Sequence, residues 1–317
     1  MVAATRSPSP GRSGRTRQIA HLTREIVASA IYTGSLPAPV AQGIERAPPE
    51  REAAGSNPAG RMTRSTHPYG SHPSQLAELF LPSGAGPHPV AIVVHGGYWR
   101  AQYDRSLMEG LCLDLAAHGL AAWNLEYRRV GAGGGWPETF DDIAAGIDAL
   151  DGVDAPLDLS RVVAIGHSAG GQLALWAAGR QTLPAEAPGA GPRVRILAAV
   201  SQAGVLDLTL AAGLMPSSTP TRALLGDPSQ HFERYVLASP RERLPLGIPQ
   251  LLLHGERDDT VSIRIATSYA TAARNAGDPC EIRVLSHVGH FEHIDAGSEV
   301  WHMARDWLVD QASAARS

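Results

Sequence analysis

The sequence predicts an α/β protein with a mostly parallel central sheet flanked by helices on both faces. Three observations predict it. Short, unbroken apolar runs such as Val90-Ala91-Ile92-Val93-Val94 and Val162-Val163-Ala164-Ile165 read as strands buried on both sides. Amphipathic stretches of helical length alternate with them. At one strand-to-helix junction stands Gly166-His167-Ser168-Ala169-Gly170, a glycine-bounded turn of the kind that lifts a serine above a sheet edge.

The elements follow in order. Ala77 to Leu81 reads as an early strand and Val90 to Val94 as a central one. Leu107 to His118 reads as a helix stopped by Gly119. Ala121 to Tyr127 is the next strand, and Phe140 to Leu150 the next helix. After the serine turn and its helix, Ile196 to Val200 and Gln250 to Leu253 read as strands. Ile263 to Ala276 is a helix ended by Gly277, Glu281 to Leu285 the last strand, and Val300 to Val309 the closing helix. Two connections, Gly131 to Trp136 and Leu206 to Pro240, read as long and irregular. Loops on the carboxyl edge of such a sheet form its binding crevice.

Composition narrows the function. A net charge of −4 over 317 residues is too small to imply a nucleic-acid or membrane surface. No apolar run is long enough to cross a bilayer. Cys112 lies in an apolar helical stretch and Cys280 just before a strand. Two such residues make neither a disulfide framework nor a metal site, so both read as structural and the expected location is cytoplasmic. No Walker-type loop, dinucleotide fingerprint or metal-ligand cluster is present, so no metal and no cofactor is expected.

Residues 1–61 differ from the rest. They are rich in Arg, Pro, Ser, Gly and Ala with little apolar period, the composition of a disordered segment. Gly55-Ser56-Asn57-Pro58 and Val40-Ala41-Gln42-Gly43-Ile44-Glu45-Arg46 are also what the T-arm and D-arm of a transfer RNA gene would encode. The expectation is a spurious upstream translation, with Met62 nearer the true start and residues 62–317 forming the catalytic domain. Ile26 to Ile31 is too short and too broken by Ser29 to be an export signal.

Three segments carry chemistry. His95-Gly96-Gly97-Tyr98-Trp99 follows a buried strand, and its glycines let backbone N–H groups approach a ligand. The N–H groups of Gly96 or Gly97, with that of Ala169, are candidates to hold an oxyanion. His95 is expected to brace this loop. Ser168 supplies a hydroxyl that needs a base to become a nucleophile. His167, beside it, is expected to point away and pack.

The third segment, Leu252-Leu253-His254-Gly255-Glu256-Arg257-Asp258-Asp259-Thr260-Val261, offers an acid. Asp258 is favoured over Asp259, and the base must follow it in the chain. His290, after Gly289, is favoured over His287 and His293, which are read as surface or pocket residues. Tyr98, Trp99 and Trp136 are candidates to line a substrate pocket.

These four motifs in this order, His-Gly-Gly-x-Trp, Gly-His-Ser-Ala-Gly-Gly, His-Gly-x-x-Asp-x-x-Val and Gly-His-Phe, resemble the α/β-hydrolase superfamily over residues 77–311. They are most similar to its esterase, kynurenine-formamidase-like and prolyl-oligopeptidase-like branches. The resemblance implies the α/β-hydrolase fold, a Ser168–Asp258–His290 triad and an oxyanion hole at Gly96, Gly97 and Ala169. Ser262 departs from it, since a proline often follows the valine there.

The implied activity is serine hydrolysis of a small carboxylic ester through an acyl-enzyme, with a small-molecule ester or amide as partner. The alternatives are an arylformamidase, a peptidase of prolyl-oligopeptidase type, and a non-catalytic binding protein on a hydrolase scaffold.

Overall fold

The structure, a computed structural model, describes residues 61–214 and 218–314. The expectations for residues 1–61 fall outside it except at Arg61.

Eight strands form one sheet: β1 (Thr63–Pro68), β2 (Leu76–Leu81), β3 (His88–Val94), β4 (Ala121–Leu125), β5 (Leu157–His167), β6 (Ala198–Gln202), β7 (Gln250–Gly255) and β8 (Cys280–Leu285). Their spatial order is β1-β2-β4-β3-β5-β6-β7-β8. β2 runs antiparallel to β1 and β4, and the other neighbours are parallel.

Strand alternation sends successive side chains to opposite faces, and two cores result. Val90, Ile92 and Val94 of β3 join Trp123, Val162, Ala164, Leu173 and Ile265 on one face. Ala91 and Val93 join Phe80, Val163, Ile165, Leu251 and Leu253 on the other. Each fully buried Val, Leu or Ile contributes about 1.5–3 kcal/mol, so a strand apolar at every position is stabilised from both sides.

Helices cover both faces. α1 (Glu109–Ala117) supplies Leu111 and Leu115 to the second core, and α8 (Glu299–Ala314) supplies Trp301, Ala304 and Leu308. The first core takes Phe140, Ile143 and Ile147 from α2 (Glu138–Asp148), Leu173 and Trp176 from α3 (Ala169–Ala178), and Ile265 and Tyr269 from α7 (Ile263–Asn275).

The boundaries differ from the sequence reading in several places. The first expected helix is split into a 3₁₀ turn over Arg105–Met108 and α1, with Gly119 at φ +87° beyond its end. The strand expected to reach Tyr127 stops at Leu125. β1 was not expected at all. The stretch from 206 to 240, expected to be irregular, holds three short helices: α4 (Leu208–Leu214), α5 (Ser218–Leu225) and α6 (Phe232–Ala238). Helices of seven or eight residues show too few turns for an apolar period to be read.

The parallel strands end together. Val94 pairs with Gly166, Gly166 with Ser201, Gln202 with Leu253, and Gly255 with Leu285. The loops after β3, β5, β6, β7 and β8 therefore leave the sheet at one edge, where ligands bind in open α/β sheets.

Candidate active site

Ser168 sits between β5 and α3 with φ +55° and ψ −118°. This is a sparsely populated conformation for a residue with a side chain, costing about 1–3 kcal/mol unless its surroundings enforce it. They do so sterically. A Cβ on Gly166 would lie 2.1 Å from the Gly170 oxygen, and one on Gly170 2.1 Å from the Val94 oxygen. Only glycine fits at either position, and the Ser168 N–H is held by the Gln202 oxygen at 2.8 Å.

The loop after β3 is strained in the same way. Gly97 has φ +104°, and Tyr98 and Trp99 follow at +56° and +55°. Its supports are buried. The Trp99 indole N–H donates to Gln172 Oε1 at 3.0 Å, and Gln172 Nε2 donates to the Ala238 oxygen at 2.8 Å. His95 is fully buried and stacks on Tyr127 at 4.5 Å. Its Nε2 lies 3.0 Å from Glu126 Oε1 and its Nδ1 2.8 Å from the Gly96 oxygen, which is how it braces the loop.

Glu126, which the sequence reading did not single out, is the hub of that brace. Its carboxylate also accepts from the N–H groups of Tyr127 and Arg105 and pairs with Arg129. Burial alone would raise this carboxyl, but His95, Arg129 and the Tyr127 N–H hold it below the usual carboxylate range. The signal in the sequence was an acid directly after an apolar strand.

Gly96 abuts the serine turn: a Cβ on it would meet the His167 oxygen at 2.7 Å and Ser168 Cβ at 3.1 Å. Ala169 is the first residue of α3, where a helix has no internal acceptor for its N–H. The three backbone groups expected to face an oxyanion thus lie on adjoining segments beside Ser168.

Asp258 and His290 meet directly. His290 Nδ1 donates to Asp258 Oδ2 at 2.8 Å, with the two side chains 4% and 0% exposed. Asp258 Oδ1 accepts from the N–H groups of Thr260 at 2.9 Å and Val261 at 2.8 Å. Burial pushes this carboxyl up, yet the His290 bond and charge and the two N–H donors outweigh it and hold it below the usual range. Asp259 is exposed and accepts only the Thr260 hydroxyl, at 3.2 Å.

Three further histidines surround this pair. His254 is fully buried, donates to the Val261 oxygen at 2.9 Å and lies 3.4 Å from Asp258. His293, expected at the surface or in a pocket, is instead completely buried, and burial with His254 and His290 nearby pushes it down to about 3. It packs inward because the 3₁₀ turn Glu292–Ile294 turns its ring toward His167. His287 is exposed, with its Nδ1 3.3 Å from Arg257.

Beside Ser168 lies a small cavity of about 260 Å³, including the solvent at its mouth. Tyr98, Trp99, Ala169, Val205, Pro220, Thr221 and Val261 line it. Trp136 does not. Its ring packs on Phe140 at 5.1 Å and its main-chain N–H donates to the Leu224 oxygen, so its part is to join the 131–136 loop to α5. The lining from α5 comes from a stretch in which the sequence reading saw no element. Cys112 and Cys280 are buried free thiols, both pushed up by burial. Among the described residues no group of three or more His, Cys, Asp or Glu is arranged to hold a metal ion, and no helix is long and apolar enough to cross a membrane.

Sheet order, the serine turn and the loop edge define the α/β-hydrolase fold, and solved structures share it. A truncated carbohydrate esterase from gut microbiota is 21% identical, with a TM-score of 0.71 over 79% of this chain and 96% of its own. An inhibited esterase B from Lactobacillus rhamnosis is 19% identical, with a TM-score of 0.71 over 80% and 87%. A thermophilic esterase from Thermogutta terrifontis is 23% identical, with a TM-score of 0.63 over 78% and 91%. The profile of the family described as BD-FAE matches residues 77–272, and the chain belongs to that family. No curated protein matches.

Proposed function

We propose that this protein is a serine hydrolase that cleaves small carboxylic esters through an acyl-enzyme, with Ser168 as nucleophile, His290 as base and Asp258 as the acid that orients it. The observation that carries the reading is the buried 2.8 Å bond from His290 Nδ1 to Asp258, with His290 also in contact with His167 of the glycine-enforced turn that presents Ser168. That bond fixes the tautomer, leaving Nε2 free to take a proton, and stabilises the imidazolium that results.

His290 takes the Ser168 proton as the hydroxyl oxygen bonds to the ester carbonyl carbon. The negative charge on the carbonyl oxygen falls to the N–H groups of Gly96 or Gly97 and of Ala169. Collapse breaks the bond to the alcohol oxygen, which leaves with the proton from His290. Water then attacks the acyl-enzyme by the same route, releasing the carboxylic acid and free Ser168.

The cavity supports a short acyl group. Its walls are apolar apart from the polar groups of Tyr98, Trp99, Ser168 and Thr221, and the recess is small. A carbohydrate esterase and a thermophilic esterase solved with propionate bound, both among the structural neighbours, agree with such a substrate. An N-formyl arylamine is the second reading, because formyl is the smallest acyl group and the His-Gly-Gly-Tyr-Trp loop resembles that of kynurenine formamidases. A cytoplasmic setting, suited to two free cysteines, is part of the same proposal.

A series of p-nitrophenyl esters from acetate to octanoate, run beside N-formylkynurenine, tests the reading. Short esters are expected to give the highest kcat/KM, with a steep fall beyond butyrate. Preference for octanoate would refute the short-acyl assignment, and faster turnover of the formamide would favour the second reading.

A further inference from the structure

The proposed chemistry gives no task to His167, the residue before the nucleophile. It is 3% exposed, and its Nε2 lies 2.7 Å from the main-chain oxygen of His290. Its ring also packs on that of His290, with centroids 4.6 Å apart. A carbonyl oxygen only accepts, so Nε2 carries the hydrogen and donates. Burial, with His290 and His293 close by, pushes the charged form of His167 well below its usual range, so the ring stays neutral and keeps its single N–H.

The base needs such a support. His290 lies on the loop after β8, while Ser168 follows β5, with β6 and β7 between them. Phe291, next in the chain, is 64% exposed, and the preceding Gly289 N–H is held by Glu292 at an exposed site. The Asp258 bond fixes the His290 ring and says nothing of its main chain. The bond from His167 fastens that main chain to the turn that carries the nucleophile.

We propose that His167 is a positioning residue that sets the separation of Ser168 and His290 by pinning the His290 carbonyl. The inference rests on the assignment of Ser168 and His290 above. A shift of about 1 Å between reacting groups costs up to about a hundredfold in rate, so a pin of this kind has a measurable effect.

Three substitutions separate the pin from packing. His167→Gln places an amide N–H near the position of Nε2, His167→Asn is too short to reach, and His167→Phe fills the space with no donor. With a short p-nitrophenyl ester, Phe and Asn are expected to lower kcat by about 10- to 100-fold with little change in KM, and Gln to recover most of it.

The pH profile supplies a readout that packing alone would not move. The groups facing His290 are Asp258, which is ionised, and His167, His254 and His293, which burial keeps neutral. A loosened His290 holds its bond to Asp258 less firmly, and the pH profile of kcat/KM in Phe and Asn departs from that of the wild type.

Ester turnover by the wild type and its loss in Ser168→Ala are measured first. Failure there sinks the hydrolase assignment and is distinct from failure of the pin. If His167→Phe does not fold, the Asn and Gln pair carries the comparison. Wild-type kcat and pH profile in the Asn variant, or a Gln variant as slow as Asn, would overturn the proposal.

Discussion

Replacing Glu126 by Gln tests whether the loop after β3 is held by a buried ionic hub. The carboxylate takes His95 and Tyr127 on Oε1, at 3.0 and 2.9 Å, and the Arg105 N–H on Oε2 at 3.1 Å. Arg129, 9% exposed, lies 3.0 Å from Oε1. Glutamine keeps one acceptor, turns an N–H against the Arg105 N–H, and leaves the buried Arg129 guanidinium without a counter-charge.

Hydrogen bonds to charged groups contribute about 1.5–3 kcal/mol, and breaking a buried pair costs about 3–5 kcal/mol. Glu126→Gln should therefore lose about 3–4 kcal/mol, which lowers Tm by about 6–15 °C in a domain of this size.

The pH dependence has a definite sign. The folded carboxyl sits below its usual 4.5, so its contribution is fully present above that value and is lost as pH falls through the lower folded value. The gap in Tm between wild type and variant should hold above about pH 4.5 and narrow as pH falls below it. Scanning calorimetry across that range measures it. A variant as stable as wild type at pH 7, or a gap that ignores pH, would refute the hub.

Asp258→Asn removes the carboxylate that orients His290 and should lower kcat about 10⁴-fold in a stopped or continuous ester assay, whereas Asp259→Asn leaves it near wild type. Equal effects of the two would contradict the choice of Asp258. Gly170→Ala puts a Cβ 2.1 Å from the Val94 oxygen and 2.5 Å from the His95 oxygen, both backbone atoms that have little room to retreat. Urea denaturation should show a loss of about 3 kcal/mol, and a loss below about 1 kcal/mol would mean that the turn tolerates a side chain.

The parts of the fold that were legible in the sequence are those buried on both faces. β3, β5 and β7 each hold an unbroken apolar run, Val90 to Val94, Val162 to Ile165 and Leu251 to Leu253, and such runs read as strands without any partner being known. β1 is Thr63-Arg64-Ser65-Thr66-His67-Pro68, an exposed edge strand that pairs with β2 through its backbone and carries polar side chains, so it leaves no apolar trace. The helices α4 to α6 were hidden by their shortness.

In the site, the glycines of the serine turn and the order of acid and base mark Ser168, Asp258 and His290 as candidates because sterics and topology restrict those positions. Glu126, Gln172 and His167 act through partners 31, 66 and 123 residues away, contacts that no local pattern records. Trp136 shows the converse: an aromatic near the site by sequence packs on Phe140 and leaves the cavity to Tyr98 and Trp99.

The central claim is that the Ser168 hydroxyl is activated by His290. Treating the folded protein with a fluorophosphonate and locating the adduct by peptide mass spectrometry tests it most directly, since the reagent bonds only to an activated hydroxyl. The account predicts one adduct, on Ser168, absent in Ser168→Ala and formed far more slowly in Asp258→Asn. A folded wild-type protein that takes up no label, or carries it on another residue, would contradict the account.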